Sequence, residues 1–201
     1  LTDRPGNIIV VKLGGATLGS HDTAIEDLAS LQQEGRSVVV VHGGGKLITA
    51  WLDRLGLSSH FVRGERVTDG AALEVVVAVL GGLVNKEIVT AINNRGGRAV
   101  GISGVDGALI QAKVKDREMG YVGAVVELDV APLGVLLRWG YMPVVAPLGL
   151  YSVDRPGEAP GMVNVNADIA AGEIAAAIGA ERLVFLTDVP GVLDRSGCLL
   201  P

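Results

Sequence analysis

The chain has 201 residues, 49% of them apolar and 19% charged, with 17 Lys and Arg against 22 Asp and Glu for a formal charge of −5. That is enough apolar chain for one sizeable α/β core, and it argues against disorder and against a broad attraction for nucleic acid or an anionic membrane surface. A single cysteine, Cys198, leaves no internal disulfide framework and suits a reducing cytoplasm, and no apolar stretch approaches the roughly 20 residues that cross a bilayer.

Ile8–Leu13 (IIVVKL) and Ser37–Val41 (SVVVV) are unbroken apolar runs rich in β-branched residues and bounded by glycines. Such runs read as strands buried on both faces of a parallel sheet. Between them Ile25, Leu28 and Leu31 recur at helical spacing, which predicts a helix over Asp22–Glu34 and a right-handed strand–helix–strand crossover. A second helix follows the glycines over Lys46–Leu55. FVRGERVT, residues 61–68, reads as a β-hairpin. Asp69–Asn94 reads as a helix that is apolar on nearly all sides, so it must be covered on more than one side. Either one face covers the sheet and the other a second subunit, which predicts a homodimer, or the helix is central in a larger monomer.

Further along, strands are predicted at Arg98–Ser103, Met142–Ala146 and Leu183–Thr187, with a short strand pair at Ala108–Lys113 and Gly123–Glu127. Helices are predicted near Val130–Trp139 and at the Ala-rich Ala167–Ile178. Arg155–Gly161, with its prolines and glycines, is a surface turn. The alternation predicts a three-layer α/β/α sandwich around a mainly parallel central sheet.

Two strands run into glycines, Gly14-Gly15 after Lys12-Leu13 and Gly43-Gly44-Gly45 after His42. Ligands collect at the carboxyl ends of parallel strands, and glycines there let backbone N–H groups approach anionic oxygens. The other reading of either loop is a tight strand-to-helix turn. Neither fits the P-loop, because Ser20 follows Gly19, and the second lacks the third glycine of a dinucleotide fold, because position 48 is isoleucine.

Lys12 sits in an otherwise apolar strand. It either snorkels out at the strand end or reaches an anion or a carboxylate. Asn164, Asn166 and Asp168 cluster before and within the start of the Ala167–Ile178 helix. Asn166 is placed to cap it and Asp168 to favour its positive end, and the group could also offer a carboxylate to a lysine. Arg66 could clamp a carboxylate or be solvated in the hairpin. His21, His42 and His60 have no metal-ligand spacing and no triad partner, and no protein metal site is expected.

VVKLGGATL, VVVVHGGGK, RGERVTDG, VNKEIV, AVGISGVDG, GYMPVVAPLG, NVNADIAAGEIAAAIGAE and LTDVPGVL follow one another between Val10 and Leu193. Together they resemble the amino-acid kinase family, and within it the branch that phosphorylates N-acetyl-L-glutamate. The resemblance implies ATP with Mg²⁺ as phosphoryl donor, an acyl phosphate as product, and a place in arginine biosynthesis. It also admits an aminoadipate-type carboxylate kinase of lysine biosynthesis, or a non-catalytic arginine-sensing domain.

By the same resemblance Lys12 would stabilise the migrating phosphoryl group, helped by the backbone of Gly14, Gly15 and Gly44. Gly44 and Gly45 would hold the acetylglutamate, Arg66 its α-carboxylate, and Asn164 would complete that pocket. Asp168 would orient lysines. Asp188, Val189, Pro190, Gly191, Val192 and Leu193 would line the nucleotide site. Residues 1–162 would form the acetylglutamate lobe, and 163–201 would begin the nucleotide lobe. Family members continue further and carry a second lysine there, so this chain is expected to be a piece with little kinase activity of its own.

Overall fold

The computed structural model describes residues 7–14, 23–187, 191 and 198–199. Among these residues the central sheet has five strands, in the spatial order 182–186, 8–13, 37–42, 142–146 and 99–103, all neighbours parallel. Its strands are β1 (Ile8–Leu13), β2 (Ser37–His42), β5 (Ala99–Ser103), β8 (Met142–Ala146) and β11 (Arg182–Leu186). Alternation along each strand sorts the core into two halves. Ile9, Val11 and Leu13 of β1 and Val38 and Val40 of β2 pack with helices α1 (Ala24–Gln33) and α2 (Gly45–Arg54). Ile8 and Val10 of β1 and Val39 and Val41 of β2 face the other way, toward α5 (Ala131–Arg138) and α6 (Ala167–Ile178). The mainly parallel, helix-covered sheet is therefore as the sequence predicts, and β8 and α6 start and stop at the expected residues.

The long apolar segment is one continuous helix, Gly70–Asn93, of 24 residues. It comprises α3 (Gly70–Val77), a π-helical stretch (Ala78–Val84) and α4 (Asn85–Asn93). By length and composition it could cross a bilayer, which corrects the expectation that no stretch is long enough. Asn85, Lys86 and Glu87 interrupt the apolar run without interrupting the helix, which spans nearly the predicted Asp69–Asn94. Val76, Val79, Leu80, Val84, Ile88 and Ile92 lie in the core beside the sheet, so this is an interior helix of the fold.

A four-stranded barrel stands beside the sheet and was missed in part. Its β6 (Ile110–Val114) and β7 (Val122–Leu128) are the predicted antiparallel pair. They are joined by β9 (Leu148–Tyr151) and β10 (Met162–Val165), which close it in the order β10-β7-β6-β9. Both added strands have four residues and carry Gly149 or Asn164, too little periodic signal to read as strands. Gly123 and Gly149 make the closure possible. A Cβ on Gly123 would sit 2.5 Å from Val163 Cγ2, and one on Gly149 would sit 3.1 Å from the Ala112 Cβ.

Candidate active site

The carboxyl ends of β1 and β2 are stitched together where both chains turn. Gly43 donates its N–H to the Leu13 carbonyl (3.0 Å), and Gly14 donates to Leu186 O of the neighbouring β11 (2.8 Å). Backbone approach at Gly14 is close enough that a Cβ would lie 2.9 Å from Leu186 O. The Gly14 amide is thus engaged in the β1–β11 seam, while Gly44 and Gly45 open onto a cleft of about 190 Å³. That cleft is also lined by Gly43, Arg66, Asn164, Asn166 and Asp168, so seven of the residues singled out in the sequence meet there.

Lys12 approaches the cleft through a partner. It lies on the same face of β1 as Ile8 and Val10, the face that α6 covers, and its ammonium pairs with Asp168 Oδ1 at 2.8 Å. The Lys12 side chain is 13% exposed and that of Asp168 56%, so the pair sits at the rim with its carboxylate toward solvent. Both roles foreseen for the Asn-Asp cluster coexist. Asn166 caps α6, its side-chain oxygen accepting from the N–H groups of Asp168 (2.8 Å) and Ile169 (3.2 Å). The cap aims the first turn, and that turn delivers the Asp168 carboxylate to the lysine.

Arg66 ends the hairpin of β3 (Phe61–Val62) and β4 (Glu65–Arg66), and it is buried rather than solvated. Its guanidinium donates to Gly45 O (3.0 Å), Thr49 Oγ1 (2.7 Å) and Ser59 Oγ, and lies 4.6 Å from the centre of the Phe61 ring. Burial lowers its pKa, with Asp53 acting in the opposite sense. Among the described residues, three of its five N–H donors are engaged, both of those on Nη2 and one on Nη1. Asn164 joins the same network: its Nδ2 donates to Thr68 Oγ1 (3.1 Å), and that hydroxyl donates to Arg66 O (2.9 Å). Thr49, Ser59 and Thr68 carried no sequence signal, because isolated hydroxyls have no period or spacing that marks them.

His42 and Asn85 form a buried pair beneath the glycine turn. His42 Nδ1 lies 3.0 Å from Gly43 O and its Nε2 lies 3.2 Å from Asn85 Nδ2. Burial pushes the His42 imidazole down to about 4. Its partner lies 43 residues away on another element, which no local pattern in the sequence shows.

Gly15, Asp188, Val189, Pro190, Val192 and Leu193 lie outside the described residues. Gly191 lines a separate groove along β11 and α1 with Val184, Phe185, Leu186 and Thr187.

This geometry has known counterparts. An acetylglutamate kinase of Dehalococcoides mccartyi is 47% identical over 197 residues, covering 98% of this chain and 72% of that protein. One from Cereibacter sphaeroides is 49% identical over 198 residues, covering 97% of this chain and 66% of its own length. A solved protein of Streptococcus mutans superposes with a TM-score of 0.83 at 28% identity, over 94% of this chain and 75% of its own. The profile of the amino acid kinase family matches residues 7–198, nearly the whole span that carries the sheet, the glycine turns and the cleft, and the chain belongs to that family.

Proposed function

We propose that this chain binds N-acetyl-L-glutamate in the Gly44–Arg66–Asn164 cleft and serves the ATP-dependent phosphorylation of its side-chain carboxylate, a step of arginine biosynthesis. The observation that carries the reading is one cleft lined by a buried arginine, exposed glycine backbone and a lysine-paired aspartate. Acetylglutamate kinases at 47–49% identity support the same substrate.

The chemistry needs no general base. A side-chain carboxylate with a pKa of about 4.3 is already ionised at neutral pH and is itself the nucleophile. The barrier is electrostatic, because an anion must approach a polyphosphate in line while charge spreads over the phosphoryl oxygens. Lys12 would supply a cation there and Gly44 a backbone N–H, both preorganised before the reaction. Arg66 would take the substrate α-carboxylate through its charge and a remaining N–H donor, held in place by Phe61 and Thr49. Asp168 would hold the Lys12 ammonium in place. Of the cleft's carboxylates, Asp168 is paired with Lys12 and Glu65 with Lys115 (2.7 Å), so Mg²⁺ would be held chiefly by ATP phosphates and water.

In this reading residues 1–162 supply most of the acetylglutamate site, and residues 163–201 begin the nucleotide lobe, with Asp188–Leu193 against the nucleotide. Two copies would associate across the outer face of the Gly70–Asn93 helix, where Ala71, Ala78 and Gly82 are exposed. Calorimetric titration of the chain with N-acetylglutamate tests the site, with an aminoadipate derivative as comparator. Saturable binding of the first, preferred over the second, is expected; equal or absent binding of both would overturn the assignment.

A further inference from the structure

Among the described residues, Gly44 is buried and its N–H has no acceptor, although a buried amide is ordinarily paired. It is therefore a donor held ready for a ligand, and its usefulness depends on how firmly the Gly43–Gly44 peptide is oriented. We propose that His42 and Asn85 are positioning residues that lock this peptide, so that the Gly44 N–H points into the cleft. This rests on the reading of the cleft as a carboxylate and phosphoryl site.

The argument runs from the outside of the network inward. Lys86 Nζ donates to Asn85 Oδ1 (3.0 Å), and Asn85 Nδ2 lies near the carbonyl oxygens of Val144 (2.9 Å) and Ile102 (3.3 Å). These contacts determine which way the amide faces: its NH₂ group points at His42 Nε2. A proton on Nε2 would be directed at the amide NH₂, which has no acceptor to offer, so the imidazole proton resides on Nδ1. There it is donated to the Gly43 carbonyl, 3.0 Å away. A trans peptide places its C=O and N–H on opposite sides. Pinning the Gly43 carbonyl against the ring therefore turns the Gly44 N–H away from it, toward the cleft that Gly44 lines.

Parity and packing make this arrangement available. Position 42 follows Val38 and Val40 on the face of β2 that meets the helix Gly70–Asn93, and Asn85 begins α4 where the π-helical stretch ends. The wide turn also presses Leu80 and Val84 onto the same loop. A Cβ at Gly44 would lie 2.7 Å from Leu80 Cδ2 and 3.3 Å from Val84 Cγ2. Glycine admits the helix to the loop, and the two polar side chains set the orientation of the peptide. Gly101 completes the fit, since a Cβ there would lie 1.9 Å from Asn85 Oδ1.

The test uses the imidazole tautomer and a pair of isosteres. Long-range ¹H–¹⁵N spectra of the unliganded chain at pH 7 should show His42 protonated on Nδ1, and the Nε2–H tautomer would overturn the proposal. The amide of an asparagine at 42 reaches the Nδ1 position and can still donate to Gly43 O, whereas that of a glutamine reaches the Nε2 position and cannot. His42→Asn should keep N-acetylglutamate affinity within about threefold, and His42→Gln should lose about tenfold or more, the worth of one hydrogen bond to a charged group. Equal losses in the two variants, tracking their melting temperatures, would reduce the pair to a structural role and overturn the proposal. The tautomer is read without ligand. Were the unsubstituted chain not to bind N-acetylglutamate, the substrate reading would fall, and the tautomer alone would decide for or against the lock.

Discussion

Replacing Gly44 by alanine isolates the steric contact between the loop and the π-helical turn. The φ of Gly44 is 175°, outside the left-handed region, and space around the loop opposes the substitution. The new methyl would stand 2.7 Å from Leu80 Cδ2 and 3.3 Å from Val84 Cγ2, and Leu80 is only 2% exposed, with little room to retreat. Overpacking of this kind costs about 1–3 kcal/mol. The loss of chain freedom in the unfolded state returns about 0.4–1 kcal/mol. A net loss of about 1–2 kcal/mol is expected in urea unfolding, read as a lower midpoint at unchanged slope. Leu80→Ala alone costs about 2–5 kcal/mol as a cavity, but it removes the obstructing atom. Gly44→Ala should then cost little in the Leu80→Ala background, a coupling of about 1 kcal/mol. Affinity for N-acetylglutamate should fall in the single variant and recover in part in the double variant. A penalty below about 0.5 kcal/mol, or one of the same size in both backgrounds, would refute the contact as the reason for glycine at 44.

Asn166→Ala should cost about 1 kcal/mol of stability as a lost helix cap, whereas Asp168→Asn should cost less than about 1 kcal/mol because the carboxylate is half exposed and the asparagine side-chain oxygen can still accept from Lys12; chemical denaturation of both variants checks the order. Arg66→Lys should weaken N-acetylglutamate binding by about tenfold or more, since an ammonium cannot reproduce a planar fork held by Phe61, Thr49 and Gly45; calorimetry measures it. His42 contributes to acid sensitivity with a definite sign. Its pKa falls from 6.5 when unfolded to about 4 when folded, so the folded state binds fewer protons. Stability is retained above pH 6.5 and is lost as the pH falls toward 4, by about 3 kcal/mol in all. His42→Asn should flatten that limb of the stability–pH curve, and an unchanged slope between pH 6.5 and 4 would contradict the cause given.

Much of the fold was legible because its information is local. The β-branched runs at Ile8–Leu13 and Ser37–His42 bury both faces, so their burial shows as continuous apolarity. Asn166 and the alanines after it announce a helix start with no help from the rest of the chain. The barrel strands Leu148–Tyr151 and Met162–Val165 are defined mainly by the partners they pair with, and four residues carry too little pattern to show it.

The candidate site divides in the same way. Residue chemistry alone marked Lys12, the glycine turns and Asp168 as groups that needed partners, because a cation in an apolar strand and flexible backbone at strand ends are costly without them. Which partners they received was decided by tertiary structure. α6 lies on the even-numbered face of β1 and so brings Asp168 to Lys12. The helix Gly70–Asn93 crosses the opposite face and so sets Asn85 against His42 and Leu80 against Gly44. The folding of the hairpin toward Gly45, Thr49 and Ser59 turns Arg66 from a surface cation into a buried one. Strand parity states only which face a side chain takes, and the packing of distant elements supplies what that face meets.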